Sequence, residues 1–106
     1  MFELLKQGAA EYIVVCLGNP GDKYTTTRHN MGFLFGDYIA DKLGFEFKKI
    51  KFKSNYNIVQ FAEKKVLFMK PQTFMNSSGQ AVKEAADFYK IPSENVIVIV
   101  DDVNFD

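Results

Sequence analysis

Cysteine, histidine, tryptophan and net charge are all scarce in this sequence. Its 106 residues include one cysteine, one histidine, no tryptophan and three prolines, and 13 basic side chains balance 13 acidic ones. A single cysteine excludes an intramolecular disulfide and a cysteine-rich zinc site. Cys16 lies inside an apolar run and reads as a small buried hydrophobe, which fits a reducing compartment. Zero net charge gives no overall pull toward nucleic acid, although it leaves room for a local basic face. No stretch nears the roughly 20 apolar residues of a membrane-spanning helix. Glu3 stands where a secretory signal carries basic charge, so the expected location is the cytoplasm. Disorder is excluded by what is abundant: 47% of the residues are hydrophobic, among them 11 Phe and 5 Tyr, enough for one packed core.

Residues 1–11 read as a short polar extension. Tyr12-Ile13-Val14-Val15-Cys16-Leu17 is a continuous apolar run ended by Gly18-Asn19-Pro20-Gly21, as expected for a strand buried on both faces of an α/β sheet. From Met31 the period changes to helical. Met31, Leu34, Phe35, Tyr38, Ile39 and Leu43 share one stripe, and Gly44 supplies a stop. Residues 45–53 alternate with a phase slip that a bulge or bend near Lys48-Lys49 would repair. Tyr56–Ala62 and Lys65–Lys70 read as two further strands around a Glu63-Lys64 turn, making an antiparallel meander. Ser77 and Gln80 form a capping box opening a second helix, whose apolar side is Ala81, Val82, Ala85, Ala86, Phe88 and Tyr89 and which Pro92 bounds. Val96–Val100 is a second fully apolar strand, ending in Asp101-Asp102.

The pattern predicts an α/β fold, a mixed twisted sheet with flanking helices in the order β-α-β-β-β-α-β, forming a single domain over residues 1–106. The chain stops a few residues past a strand that reads as central. The sequence is therefore expected to be the N-terminal portion of a longer domain.

Ligands of open α/β sheets bind beyond the carboxyl ends of the strands. Both apolar strands end in polar clusters, Asn19 after the first and Asp101-Asp102 after the last. Arg28-His29-Asn30 precedes the first helix and Gln72-Thr73-Phe74-Met75-Asn76 the second. If the two strands are parallel neighbours, these groups converge at one rim. His29 sits at a helix start, where the helix dipole disfavours the imidazolium and keeps a neutral base available. A carboxylate at a strand end would hold the other ring nitrogen. Asp101 and Asp102 alternate to opposite faces, so only one of them can reach His29. A His–Asp pair with no Ser or Cys nucleophile suggests a base that activates water, with Asn19 and Asn76 as amide donors to a carbonyl oxygen.

Sharper motifs fail. There is no GxGxxG and no GxxxxGK[ST], so the dinucleotide and P-loop fingerprints are missing, and one His with one buried Cys cannot supply the three or four ligands of zinc unless carboxylates fill in. Asp102-x-Asn104-x-Asp106 matches the opening of a calcium loop but follows a strand. One region is basic: residues 44–70 hold seven lysines against two glutamates, with Phe and Tyr interleaved. Solvated strand edges guarded against aggregation explain this; a phosphate-contacting face including Lys51, Lys53 and Lys65 is the sharper reading.

Three ordered motifs carry a resemblance. Leu17-Gly18-Asn19-Pro20-Gly21, then Tyr24-x-x-Thr27-Arg28-His29-Asn30-x-Gly32, then Lys70-Pro71-x-Thr73-Phe74-Met75-Asn76-x-Ser78-Gly79 closely resemble bacterial peptidyl-tRNA hydrolases. The resemblance implies a monomeric cytoplasmic esterase that needs no cofactor and cleaves the ester joining a peptide to the 3′ ribose of tRNA. It implies His29 as general base on water, Asp101 as its orienting acid, Asn19 and Asn76 as substrate-positioning groups, and Tyr24 and Met75 as lining of the peptide cleft. It also implies a longer protein, with a later Gly-rich stretch and further helices. Three rival readings are an RNA-binding relative without hydrolysis, a small-ligand α/β module, and an inactive truncated product.

Overall fold

The computed structural model describes residues 10–18, 31–72 and 77–99. Five strands form one sheet: β1 (Tyr12–Cys16), β2 (Lys49–Lys51), β3 (Ser54–Phe61), β4 (Lys64–Pro71) and β5 (Val96–Ile99), in spatial order β2-β3-β4-β1-β5. The sheet is flanked by α1 (Met31–Leu43) and α2 (Ser78–Tyr89), and a short 3-10 turn, Ser93–Asn95, leads into β5. The predicted element order is observed.

The pairing follows the hydrophobic pattern. β1 runs parallel to both β4 and β5, with Val15 opposite Met69 and Val98. The three apolar strands thus lie side by side, while β2-β3-β4 is the expected antiparallel meander. Pleating divides the side chains. Ile13, Val15, Leu67, Met69 and Tyr56 pack with Ala81, Ala85 and Tyr89 of α2 in the main core. Fully burying a side chain of this size contributes about 1.5–3 kcal/mol. Phe52 closes one end of this core, its ring centroid 5.4 Å from Tyr56 and 5.5 Å from Phe88.

α1 corrects an expectation. Of the predicted stripe, Leu34, Tyr38 and Leu43 are exposed, Tyr38 by 58%. The buried seam is Gly32, Gly36 and Ala40, one helical turn apart. This helix is apolar nearly all round, so periodicity alone could not choose its inner face. The sheet selects the smallest side chains because they let the backbones approach. Gly44 ends the helix as expected, with φ at 77° and its N–H donating to the Ala40 carbonyl at 2.8 Å.

Other expectations shift. Only Lys49–Lys51 of residues 45–53 is strand, so the proposed bulge is not needed. The β3–β4 turn is Ala62-Glu63, not Glu63-Lys64. Ala62 and Glu63 have φ of 53° and 67°, and Phe52 and Lys53 at the β2–β3 turn 55° and 52°. Positive φ at both central residues marks two-residue hairpins of the kind that favour Asn-Gly. Neither turn carries Gly or Asn, which is why the register was not readable from turn residues. Ser77 makes no side-chain cap bond, so the capping box does not form. α2 ends before Pro92, at Lys90 in the left-handed region.

β5, read from sequence as central, is the edge strand among the described residues. Ile97 is 50% and Val98 48% exposed. Beside it, on the α1 side, runs an apolar groove of about 320 Å³ lined chiefly by Val14, Phe35, Ile39, Phe68, Ile97 and Ile99. No described helix is long and apolar enough to cross a membrane.

Candidate active site

The parallel strands β4, β1 and β5 present their carboxyl ends along one rim, with Cys16 opposite Ile99 and Val15 opposite Met69. The Leu17 N–H donates to the Ile99 carbonyl at 3.0 Å, locking β1 to β5 at that rim. α1 begins against the same spot. A Cβ on Gly32 would come within 2.6 Å of Leu17 N and 2.7 Å of Ile99 O, and closer still to Leu17 O. Only a residue with no side chain allows the first turn of α1 to rest on the β1–β5 hydrogen bond. At the β4 end, the Gln72 N–H donates to the Lys53 carbonyl at 2.8 Å. The expected parallel adjacency of the two apolar strands is therefore present.

Asn19, Tyr24, His29, Met75, Asn76 and Asp101 lie outside the described residues, as does Asp102. What is described is the frame that borders them. Gly18 precedes Asn19, Met31 follows Asn30, Gln72 and Ser77 bracket the Thr73–Asn76 segment, and Ile99 stands two residues before Asp101.

The three lysines singled out from sequence do not form one patch. Lys51 ends β2 and Lys53 is the second residue of the β2–β3 turn, at the rim end of the sheet, because Lys51 pairs with Ser54 and Ser54 with Pro71. Lys65 lies at the opposite end, where its carbonyl accepts from the Glu11 N–H at 2.8 Å. Lys65 and Pro71 are six positions apart along β4, about 20 Å at the rise of a strand. Lys53 is bonded to Glu84 at 2.8 Å. The Lys51 ammonium lies 4.0 Å from the Phe88 ring centroid, a cation–π contact, and has no salt bridge among the described residues.

Sequence reasoning missed Lys70. Counted with the solvated lysines, it is the one whose side chain is only 14% exposed, and it pairs with Asp37 of α1. The available signal was alternation: Val66, Phe68 and Lys70 share the α1-facing side of β4. Lys70, Asp37, Asp41, Glu46, Phe47 and Asn55 line a polar cleft of about 610 Å³. No group of three or more metal-ligating side chains occurs among the described residues.

Cys16 is fully buried, as expected. Burial pushes its thiol up to about 12, with the nearby Lys70 ammonium acting in the opposite direction. Burial likewise raises the Tyr89 phenol, reinforced by its hydrogen bond with Tyr56. In alkali the unfolded chain ionises at these positions while the folded protein stays neutral. Their contribution is therefore complete below pH about 9, the ordinary thiol value, and is lost as pH rises toward about 12. Urea midpoints are expected to fall between pH 8 and pH 10.5, and Cys16 to react with a thiol reagent only on unfolding. Rapid labelling of the folded protein would contradict this burial.

Comparison with known proteins agrees with the fold and with the frame. Residues 13–106 match the family model described as Peptidyl-tRNA hydrolase. The chain is 52% identical over 96 residues to a peptidyl-tRNA hydrolase of Caldicellulosiruptor saccharolyticus, covering 91% of this chain and 51% of that protein. It is 54% identical over 95 residues to one from Thermoanaerobacter sp. strain X514, covering 90% and 52%. Among solved structures, a peptidyl-tRNA hydrolase from Acinetobacter baumannii superposes with a TM-score of 0.83 at 35% identity, over 92% of this chain and 50% of that one. The chain spans about half the length of the curated relatives it matches. With a match over residues 13–106 and a shared fold, this chain belongs to the peptidyl-tRNA hydrolase family.

Proposed function

We propose that the full-length product carrying this chain hydrolyses the ester between peptide and tRNA, releasing both, with His29 as general base on water. The observation that carries this reading is the common rim: the described chain ends next to Asn19, His29, Asn76 and Asp101 border the carboxyl ends of β1, β4 and β5. The tethers are short. His29 is three residues from Gly32 and Asp101 two from Ile99, and an extended chain spans at most about 3.3–3.6 Å per residue. Gly32 itself rests against Ile99.

The pleat favours Asp101 over Asp102 as the partner of His29. Ile97 and Ile99 face the groove beside α1, whereas Val96 packs with the α2-side core. Two residues beyond Ile99, the same alternation turns Asp101 toward α1, the helix that His29 precedes. In that arrangement Asp101 orients the imidazole, and the α1 N-terminus disfavours its charged form. Asn19 and Asn76 donate to the ester carbonyl as negative charge develops on it. Tyr24 and Met75 line the peptide cleft. No cofactor enters this scheme, and we take the protein to act as a cytoplasmic monomer.

The test is cleavage of N-acetyl-aminoacyl-tRNA by the full-length protein. Release of free tRNA is expected; tight tRNA binding with no release would replace this reading with that of a non-hydrolytic RNA-binding relative. The lysines provide a second check. Lys51 and Lys53 border the rim, so Lys51→Glu and Lys53→Glu should weaken tRNA binding and reduce the salt slope by about 1 for each phosphate no longer neutralised. Lys65→Glu, at the far end of β4, should have a smaller effect. Equal effects at all three positions, measured as affinity against salt concentration, would remove the rim from tRNA recognition.

A further inference from the structure

We infer that the Lys70–Asp37 pair is a positioning device for the proposed hydrolysis, tying the helix that follows His29 to the strand that leads to Asn76. The inference rests on that functional reading. Lys70 is the next-to-last residue of β4, six before Asn76, and Asp37 lies in the second turn of α1, eight after His29. Their side chains form a direct salt bridge between the two elements.

The geometry around the ammonium is specific. The Lys70 stem crosses α1 at Gly36, where a Cβ would lie 3.2 Å from Lys70 Cε and 3.1 Å from Cys16 Sγ. The ammonium sits 4.5 Å from the Phe47 ring centroid and 5.6 Å from that of Phe33. Rings therefore flank the charge, and one carboxylate directs it. The acids facing it across the cleft are Asp37, Asp41 and Glu46.

Stability alone does not account for a charge at this position. The Asp37 side chain is 61% exposed, and a pair with one partner in solvent contributes little to folding. Taking the 14%-exposed Lys70 side chain out of water carries a desolvation cost that an apolar residue between Phe33 and Phe47 would avoid. What a directed salt bridge adds over an apolar neighbour is a fixed relation between α1 and β4. A 1 Å misplacement of reacting groups can lower a rate by about 100-fold, so such a relation matters more to kcat than to folding.

The experiment measures kcat, KM and thermal midpoint for the full-length protein and for Lys70→Met, Asp37→Asn and the double variant, with N-acetyl-aminoacyl-tRNA as substrate. Lys70→Met keeps the stem and removes the charge, while Asp37→Asn alters a largely exposed side chain. Each single variant is expected to lose about tenfold in kcat, with KM changed less than twofold and assays run well below the midpoint. The double variant is expected to be no slower than the slower single one, because both changes break the same link. Single variants with wild-type kcat, or losses that multiply in the double variant, would overturn the inference while leaving the proposed hydrolysis intact. A wild-type protein that does not cleave the substrate would overturn both.

Discussion

Replacing His29 by alanine in the full-length protein is expected to lower kcat for N-acetyl-aminoacyl-tRNA cleavage by about 10²–10⁴-fold, the usual contribution of a positioned general base. KM should change little, because in the proposed mechanism the imidazole acts on water and not on the bulk of the substrate. Asp101→Asn should reduce kcat in the same direction, since a neutral amide no longer favours the productive imidazole tautomer. Asp102→Asn should leave kcat within about twofold, because on the proposed reading the alternation of β5, carried past Ile99, sets that residue on the face opposite to Asp101. Steady-state kinetics on the three variants separate the possibilities. Wild-type turnover by His29→Ala would end the proposed mechanism, and a larger loss at Asp102 than at Asp101 would reverse the choice of orienting acid.

The largest expected effect on stability is at Gly32. A methyl group there meets Leu17 N at 2.6 Å and Ile99 O at 2.7 Å, all backbone, and so enters the hydrogen bond that joins β1 to β5. Backbone in a paired sheet cannot step aside as a side chain can. Gly32→Ala should therefore cost about 3 kcal/mol or more, at the upper end of overpacking substitutions, and lift α1 from the rim. Two other glycines supply the controls. At Gly36 the nearest atoms are the side chains of Cys16 and Lys70 at 3.1 and 3.2 Å, which can shift. There the clash is partly offset by the roughly 1 kcal/mol that alanine gains over glycine in a helix. At Gly79, in the first turn of α2, nothing lies within 4 Å, so alanine should stabilise slightly. Urea unfolding of the three variants should rank them Gly32→Ala far below Gly36→Ala, and Gly36→Ala below Gly79→Ala. A Gly32→Ala midpoint near wild type would mean that α1 does not approach β1 as described.

Gly32 also shows where sequence reading stopped. Its presence in the motif around His29 was plain, but its reason was not, because Leu17 and Ile99 are distant in sequence and meet it only across the sheet. The same holds for Lys70. In the linear chain it is one of seven lysines in a basic stretch, and only the docking of α1 buries it and supplies Asp37 as its partner.

The sequence by itself determined the element order, the strand character of β1 and β5, the end of α1 at Gly44 and the family. Those features depend on local propensity, on runs of apolar residues and on motif spacing, all of which are properties of neighbours along the chain. Tertiary structure alone decided which face of α1 lies inward, that Lys51 and Lys65 stand at opposite ends of the sheet, and that the β3–β4 turn falls on Ala62-Glu63. A helix whose apolar residues spread well beyond one stripe, leaving only Asp37, Asp41 and Lys42 charged, has no sharp local preference for one face, and a hairpin without Gly or Asn has no local marker of its turn. Both are settled by close packing against residues far away in sequence.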